Sequence, residues 1–299
     1  MKILSINRII VAAFTFLLAT FLFSCQKENS STVSEEVTEE QATVYSEESA
    51  EAEASFDDVA DVSMVAADEE DAASTARIAG RGFFPTWAEL RLLIGDCATV
   101  TVFPNDSIYP KTIIIDFGDG CAGPDGKIRR GAIVLHLTGP IRRAGSVLTI
   151  TFRNFYLNRA HLQGTKIISN LSEEHTIKFT VQVVGGKVSY PNGRGYKYES
   201  MKYKKQIEGM DTRIVRDNVF QIEGRSKTEF SNGVTININT ETPLIKKVVC
   251  PWISDGTLKI KINSRVLFLD YGFPNNGNCD NKALLTWNNG NNQRVILLP

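Results

Sequence analysis

The sequence predicts an all-β domain over residues 81–299: an antiparallel meander that forms a β-sandwich or a partly open barrel. Three observations carry that prediction. From Phe83 onward, apolar and polar residues alternate in short runs, the period-two pattern of half-buried strands. Pairs tolerant of positive φ separate the runs, at Gly185-Gly186, Asn192-Gly193, Asn232-Gly233, Asp255-Gly256 and Asn289-Gly290. Such pairs suit tight hairpins. Apart from a short piece at 85–94, with Trp87, Leu90 and Leu93, no helical periodicity of apolar residues is present.

The charge is divided along the chain. Residues 26–80 hold 16 acids and 2 bases, and residues 81–299 hold 18 acids and 29 bases. An acidic segment therefore precedes a basic domain, and the net charge of −1 describes neither. With 42% hydrophobic residues the chain is neither collagen-like nor wholly disordered.

At the start, Lys2 and Arg8 precede an apolar run from Ile9 to Phe23. That run has the length of a signal-peptide core and is shorter than a spanning helix. It ends in Leu22-Phe23-Ser24-Cys25, which resembles the lipobox of bacterial lipoproteins, with Phe23 bulkier than the usual small residue. The resemblance implies that residues 1–24 are removed and that Cys25 is acylated, its thiol taking the diacylglycerol. At about 0.8 kcal/mol per buried methylene, several acyl chains hold a protein on a membrane. Gln26-Lys27-Glu28-Asn29 resembles the short charged signal of surface-exposed lipoproteins of Bacteroidota-type bacteria. The implied location is the outer membrane, at the cell surface, with its periplasmic face as the alternative.

Residues 25–80 then read as an acidic, flexible, disordered tether. Phe56, Val59, Val62, Met64 and Val65 are its main large apolar residues, too few to offset the ordering entropy. The competing reading is a short acidic helix within 50–74 that docks on the basic domain; the spacer is the favoured one.

In the domain, the strand runs are 99–103, 147–155, 176–184, 234–238 and 258–262. Several runs end alike, in Leu137-Thr138-Gly139, Leu162-Gln163-Gly164, Ile207-Glu208-Gly209 and Ile222-Glu223-Gly224, which fits strands entering turns or bulges. A duplication is also visible. Cys97 precedes Ile113-Ile114-Ile115-Asp116-Phe117-Gly118 and then Cys121. Cys250 precedes Leu267-Phe268-Leu269-Asp270-Tyr271-Gly272 and then Cys279. Export to an oxidising compartment favours pairing of these four thiols. Of three connectivities, the repeat favours Cys97–Cys121 and Cys250–Cys279, each pinning its own Asp-aromatic-Gly corner. A four-thiolate zinc site lacks the usual C-x2-C knuckle.

Candidate chemistry is sparse. Asp116-Phe117-Gly118-Asp119-Gly120 resembles a stretch of polycystic-kidney-disease-type β-sandwich repeats, although the Trp that precedes it in that family is absent. Asp116, Asp119 and Asp125 are the candidate metal ligands, carboxylates among glycines that suit calcium, but turn chemistry is the favoured reading. No cofactor is otherwise implied. His136, His161 and His175 fall in or beside separate strands. Glu208 and Glu223 end separate strands and do not read as a catalytic pair. No G-x-S-x-G elbow, H-E-x-x-H or Walker sequence is present.

The remaining signal is basic and aromatic. Tyr196, Tyr198 and Tyr203 interleave with Lys202, Lys204 and Lys205, and Arg129-Arg130 and Arg142-Arg143 bracket another strand. Together they read as a candidate ligand surface for an anionic polysaccharide, although ordinary solvated strand faces are the favoured reading. The expected function is a non-enzymatic binding or structural module on the outer membrane, for an anionic glycan or an envelope protein. Nucleic acid is not an expected partner. The alternatives are a carboxylate-dependent glycan hydrolase and a scaffold whose sheet edges accept a partner strand.

Overall fold

The structure is a computed structural model that describes residues 37–81, 85–174, 176–211, 217–274 and 276–298. The lipobox, Cys25 and Gln26–Asn29 lie outside the described residues, as does His175. Among the described residues two helices, α1 (Glu39–Ile78) and α2 (Ala88–Ile94), precede the strands. The strands are β1 (Thr99–Phe103), β2 (Lys111–Asp116), β3 (Cys121–Ala122), β4 (Ile128–Leu137), β5 (Val147–Leu157), β6 (Ala160–Asn170) and β7 (Lys178–Ser189). They continue with β8 (Gly195–Glu208), β9 (Val219–Phe230), β10 (Thr235–Lys247), β11 (Asp255–Ile262), β12 (Arg265–Asp270), β13 (Lys282–Trp287) and β14 (Asn292–Leu297).

All fourteen strands belong to one antiparallel sheet in chain order, with the short β3 set beside β4. The meander expected from the alternation is therefore present, as one open sheet with β1 and β14 at its two ends. The inner face joins a single core in which Ile113 and Ile115 of β2, Ile150 of β5, Ile238 of β10 and Leu285 of β13 cluster with residues of α1. That shared core is what curls the sheet around the helix.

The strands are also bent locally. Ladder registers shift between Arg130 and Ala132, Gln163 and Thr165, Val183 and Gly186, and Asn239 and Leu244. Such bulges bend strands and increase their twist. Gly164, with φ +112°, lies so close to β7 that a Cβ there would sit 2.7 Å from the Gly185 carbonyl oxygen. Gly185-Gly186 is thus a bulge inside β7 rather than the expected hairpin turn, and Asp255-Gly256 opens β11 beside another register shift. Asn192-Gly193, Asn232-Gly233 and Asn289-Gly290 do lie between paired strands.

The main departure from expectation is α1. The favoured tether is replaced by a 40-residue helix over 39–78, about 60 Å long, which is the competing docked helix of 50–74 extended at both ends. Ten alanines and eight glutamates, with no Gly or Pro, favour the helix intrinsically. Thr38 closes a capping box with Gln41 at its start, Arg77 lies in the last turn, and Gly80 follows at φ +72°. The helix docks through small residues. Ala52, Phe56, Val59, Ser63, Ala66, Ala67 and Glu70 are fully buried, so the backbone sits close to the sheet. Ser55 and Ser63 return their hydroxyls to the carbonyls of Glu51 and Val59 at 2.9 and 2.7 Å, which satisfies polar groups on a packed face. Phe56 stacks on Tyr198 and meets Phe152 edge-on. Among the described residues no helix is long and apolar enough to cross a membrane.

The duplicated motif is a repeated local structure. Each first cysteine precedes a hairpin, β1–β2 or β11–β12. Asp116 and Asp270 end the second strand, and each Oδ1 accepts from the Gly amide two residues on, at 2.9 Å. Cys97–Cys121 and Cys250–Cys279 stand at bonding distance, 1.95 and 2.13 Å between sulfurs. On the chain-entropy model each loop contributes roughly 3.5 kcal/mol.

Candidate functional site

The inner face of the sheet carries cations in positions where strands normally carry core residues. Lys111 alternates with Ile113 and Ile115 on β2, and Lys166 with Ile168 on β6; both lysines are fully buried. Arg129 on β4 is 1% exposed. A buried cation needs a partner, and α1 supplies it along both flanks. Lys111 meets Glu70 at 2.9 Å, Arg129 meets Asp58 at 2.7 Å, and Lys166 meets Asp57 at 2.9 Å. Lys202 on β8 pairs with Glu53 and Asp57, and Arg194 with Glu48. Arg142, between β4 and β5, bonds Asp68 in bidentate fashion at 2.8 and 2.7 Å.

The charges respond accordingly. Burial pushes the Asp57 carboxyl up, but Lys166 and Lys202 outweigh it and hold Asp57 well below the usual carboxylate range. Burial opposes charge on Lys202, yet Asp57 and Glu53 keep its pKa above the ordinary lysine value. At the far end of α1, burial raises Asp71 to about 6, although the Tyr109 hydroxyl and the Ile141 amide both donate to it.

This arrangement divides the ligand surface expected from sequence. On β8, Tyr196, Tyr198, Lys202 and Lys204 face inward, and Tyr203 and Lys205 face outward. Tyr196 packs near Phe230 and Tyr190, and Tyr198 is stacked on Phe56. Arg129 is spent on Asp58 and Asp125. Those eight residues do not form one surface, because side chains of alternate strand residues point to opposite faces. The exposed members are Tyr203, Lys205 and Arg130.

On the outer face Arg130 has other company. Its guanidinium lies 3.9 Å from the Tyr156 ring centroid, and Tyr156 stacks on His161 at 4.4 Å with rings inclined by 16°. The three are directly cross-strand neighbours on β4, β5 and β6. Burial, with Lys187 and Arg130 nearby, lowers the His161 pKa. Lys187 and Lys197, paired across β7 and β8, are exposed beside this row, and Lys197 also meets Glu229. His136 is exposed on the same face of β4.

The candidate metal ligands are not gathered. Asp125 is drawn to Arg129 and Lys127, and despite partial burial its pKa is lowered. Asp116 serves its turn, and Asp119 is exposed. Among the described residues no group of three His, Cys, Asp or Glu side chains is placed to hold a metal ion. Glu223 is paired across the ladder with Tyr203, five residues from Glu208 on β8, so the two glutamates are roughly 15 Å apart.

Sequence reasoning missed Lys111, Lys166 and the α1 carboxylates. The signal was present: both lysines occupy the apolar phase of their strands, where a cation implies a buried partner. No family model matches the chain, and neither the curated proteins nor the solved structures contain a significant match to it.

Proposed function

We propose that this chain is a lipid-anchored envelope protein of the outer membrane, acylated at Cys25, whose sheet binds an anionic polysaccharide without catalysing a reaction. The anchor rests on Leu22-Phe23-Ser24-Cys25 and the apolar run before it. With α1 starting at Glu39, the thirteen residues from Gln26 to Thr38 reach at most about 45 Å fully extended. The observation that carries the binding reading is the outer-face row Arg130–Tyr156–His161, with Lys187 and Lys197 beside it. The Tyr156 ring holds the Arg130 guanidinium in place, and the cations supply charge for carboxylate or sulfate groups.

Two measurements test the reading. Protease shaving of intact cells removes the domain and spares a periplasmic control if the protein is on the surface; survival until the outer membrane is broken selects its periplasmic face. Titration of the full chain with a uronate-rich polysaccharide and with neutral dextran tests the ligand class. Binding to the first alone, weakened by salt, supports the proposal, and equal binding or none contradicts it.

A further inference from the structure

Among the described residues, β1 and β14 each have a single neighbour in the sheet. A bare strand edge is a template for another strand, and the two edges differ. β1 turns Thr99, Thr101 and Phe103 outward and is followed at once by Pro104. β14 pairs with β13 over all six of its residues without a bulge, from Lys282 opposite Leu297 to Trp287 opposite Asn292. It contains no Pro, Lys, Asp or Glu, and Arg294 is its one charge. Apart from that arginine, the devices that blunt a strand edge are missing from β14.

The outward groups of β14 follow from one hydrogen bond. The Leu298 amide donates to the carbonyl of Asn281, just before β13, at 2.8 Å. In an antiparallel ladder alternate residues bond the same neighbour, so Asn292, Arg294 and Ile296 direct their N–H and C=O groups to β13. Gln293, Val295 and Leu297 direct theirs to the free edge, three donors and three acceptors. The side chains of these three residues lie on the outer face, because Ile296 packs on the core from the other. Val295 is 46% and Leu297 69% exposed, and the half-buried Leu284 of β13 lies directly opposite Val295.

We propose that β14 pairs with β14 of a second copy of this chain, antiparallel, about a two-fold axis through Val295. That register sets Val295 opposite Val295 of the second copy, and Gln293 opposite Leu297 in both directions. Each is a hydrogen-bonded pair, so all three donors and three acceptors of each edge are satisfied. The outer face then carries a continuous apolar row, Leu284 and Val295 of one copy followed by Val295 and Leu284 of the other. The lone cation does not face its like, because Arg294 comes opposite Ile296 of the second copy on the inner face. Like charges at 293, 295 or 297 would oppose such self-pairing, and none is present. Pairing of β14 with β1 would leave a free edge at each end and grow into filaments, whereas the two-fold contact closes. Six residues a side make a contact smaller than those of stable complexes, so the pairing is reversible. It lies at β14 and the polysaccharide row spans β4 to β8, so either proposal stands without the other.

Cysteine cross-linking of the full chain in the cells that produce it tests the register. Val295→Cys sets two thiols beside the axis with Cα atoms about 5.5 Å apart, within the span of a disulfide. Arg294→Cys sets them roughly 8 Å apart, beyond that span. Under mild oxidation the first variant is expected to give roughly fivefold or more covalent dimer than the second or than the native chain, whose Cys25 sets the background. Equal cross-linking of both variants, or of neither above that background, overturns the proposal. Sedimentation of the purified full chain in detergent, up to about 200 µM, reads the contact without a new cysteine. A reversible monomer–dimer equilibrium is expected, and Val295→Lys, at an exposed position, weakens it roughly tenfold or more with circular dichroism unchanged. A monomer throughout, growth beyond a dimer, or a dimer indifferent to Val295→Lys overturns it.

Discussion

Arg129 and Arg130 are neighbours in the chain and sit on opposite faces of β4. Arg129 is buried against Asp58 of α1 and Asp125, whereas Arg130 lies exposed over the Tyr156 ring. The same chemical group is structural in one case and available in the other. The whole sheet repeats this division. Inside, Lys111, Lys166 and Lys202 meet carboxylates of α1. Outside, Lys187, Lys205 and Arg130 look to solvent. The acidic and basic halves of the sequence are thus largely reconciled within the molecule, while Arg130, Lys187 and Lys205 on the outer face remain exposed.

The largest effect that separates the faces is expected from Arg129→Ala. It leaves the buried Asp58 with the half-exposed Lys127 as its remaining partner, and removing one partner of a buried pair costs up to about 3–5 kcal/mol. Urea denaturation measures this, and adding Asp58→Ala should recover part of the loss. A loss below about 1 kcal/mol would mean that α1 is not seated as described.

An intermediate effect concerns pH. Asp57 and Asp125 have folded pKa values below their unfolded ones, so their stabilisation is present above about pH 4 and is lost as the pH falls further. Asp71 works in the opposite sense. Its folded value is raised to about 6, so the native state holds a proton that the unfolded chain has released. Its contribution therefore declines as pH rises from about 4 through 6. Asp71→Asn should flatten that part of the stability curve, measured as melting temperature against pH, and leave the acid limb unchanged.

The smallest effect on stability is expected from Arg130→Ala, under about 1 kcal/mol for an exposed cation–ring contact. The same change should weaken binding of the uronate-rich polysaccharide. A variant that destabilises strongly, or that binds as tightly as the native chain, would remove Arg130 from the proposed surface.

Much of the sheet was legible in the sequence, because alternation and the Asn-Gly pairs at 192–193, 232–233 and 289–290 act locally. The paired cysteines were legible from the repeat. Gly185-Gly186 was not, since a glycine pair that turns a chain and one that bulges a strand look alike until the neighbouring strand is placed. The helix entered only as the competing reading, a short one within 50–74, because its buried face mixes Ala, Ser and one Glu with Phe56, Val59 and Val62 rather than forming a stripe of Leu or Ile. Its ends were nevertheless written in Thr38, Gln41 and Gly80. Along β8, parity separates Tyr196, Tyr198, Lys202 and Lys204 from Tyr203 and Lys205. It does not say which set faces the core, because that depends on α1 lying more than a hundred residues earlier in the chain.

Hydrogen–deuterium exchange of the full chain, read by mass spectrometry on peptides covering residues 45–74, tests the seated helix most directly. The account predicts slow exchange there, comparable with β5 to β8, because Ala52, Phe56, Val59, Ser63 and Glu70 open only when the core opens. Exchange complete within seconds, with the sheet still protected, would contradict it and return the acidic segment to a solvated tether.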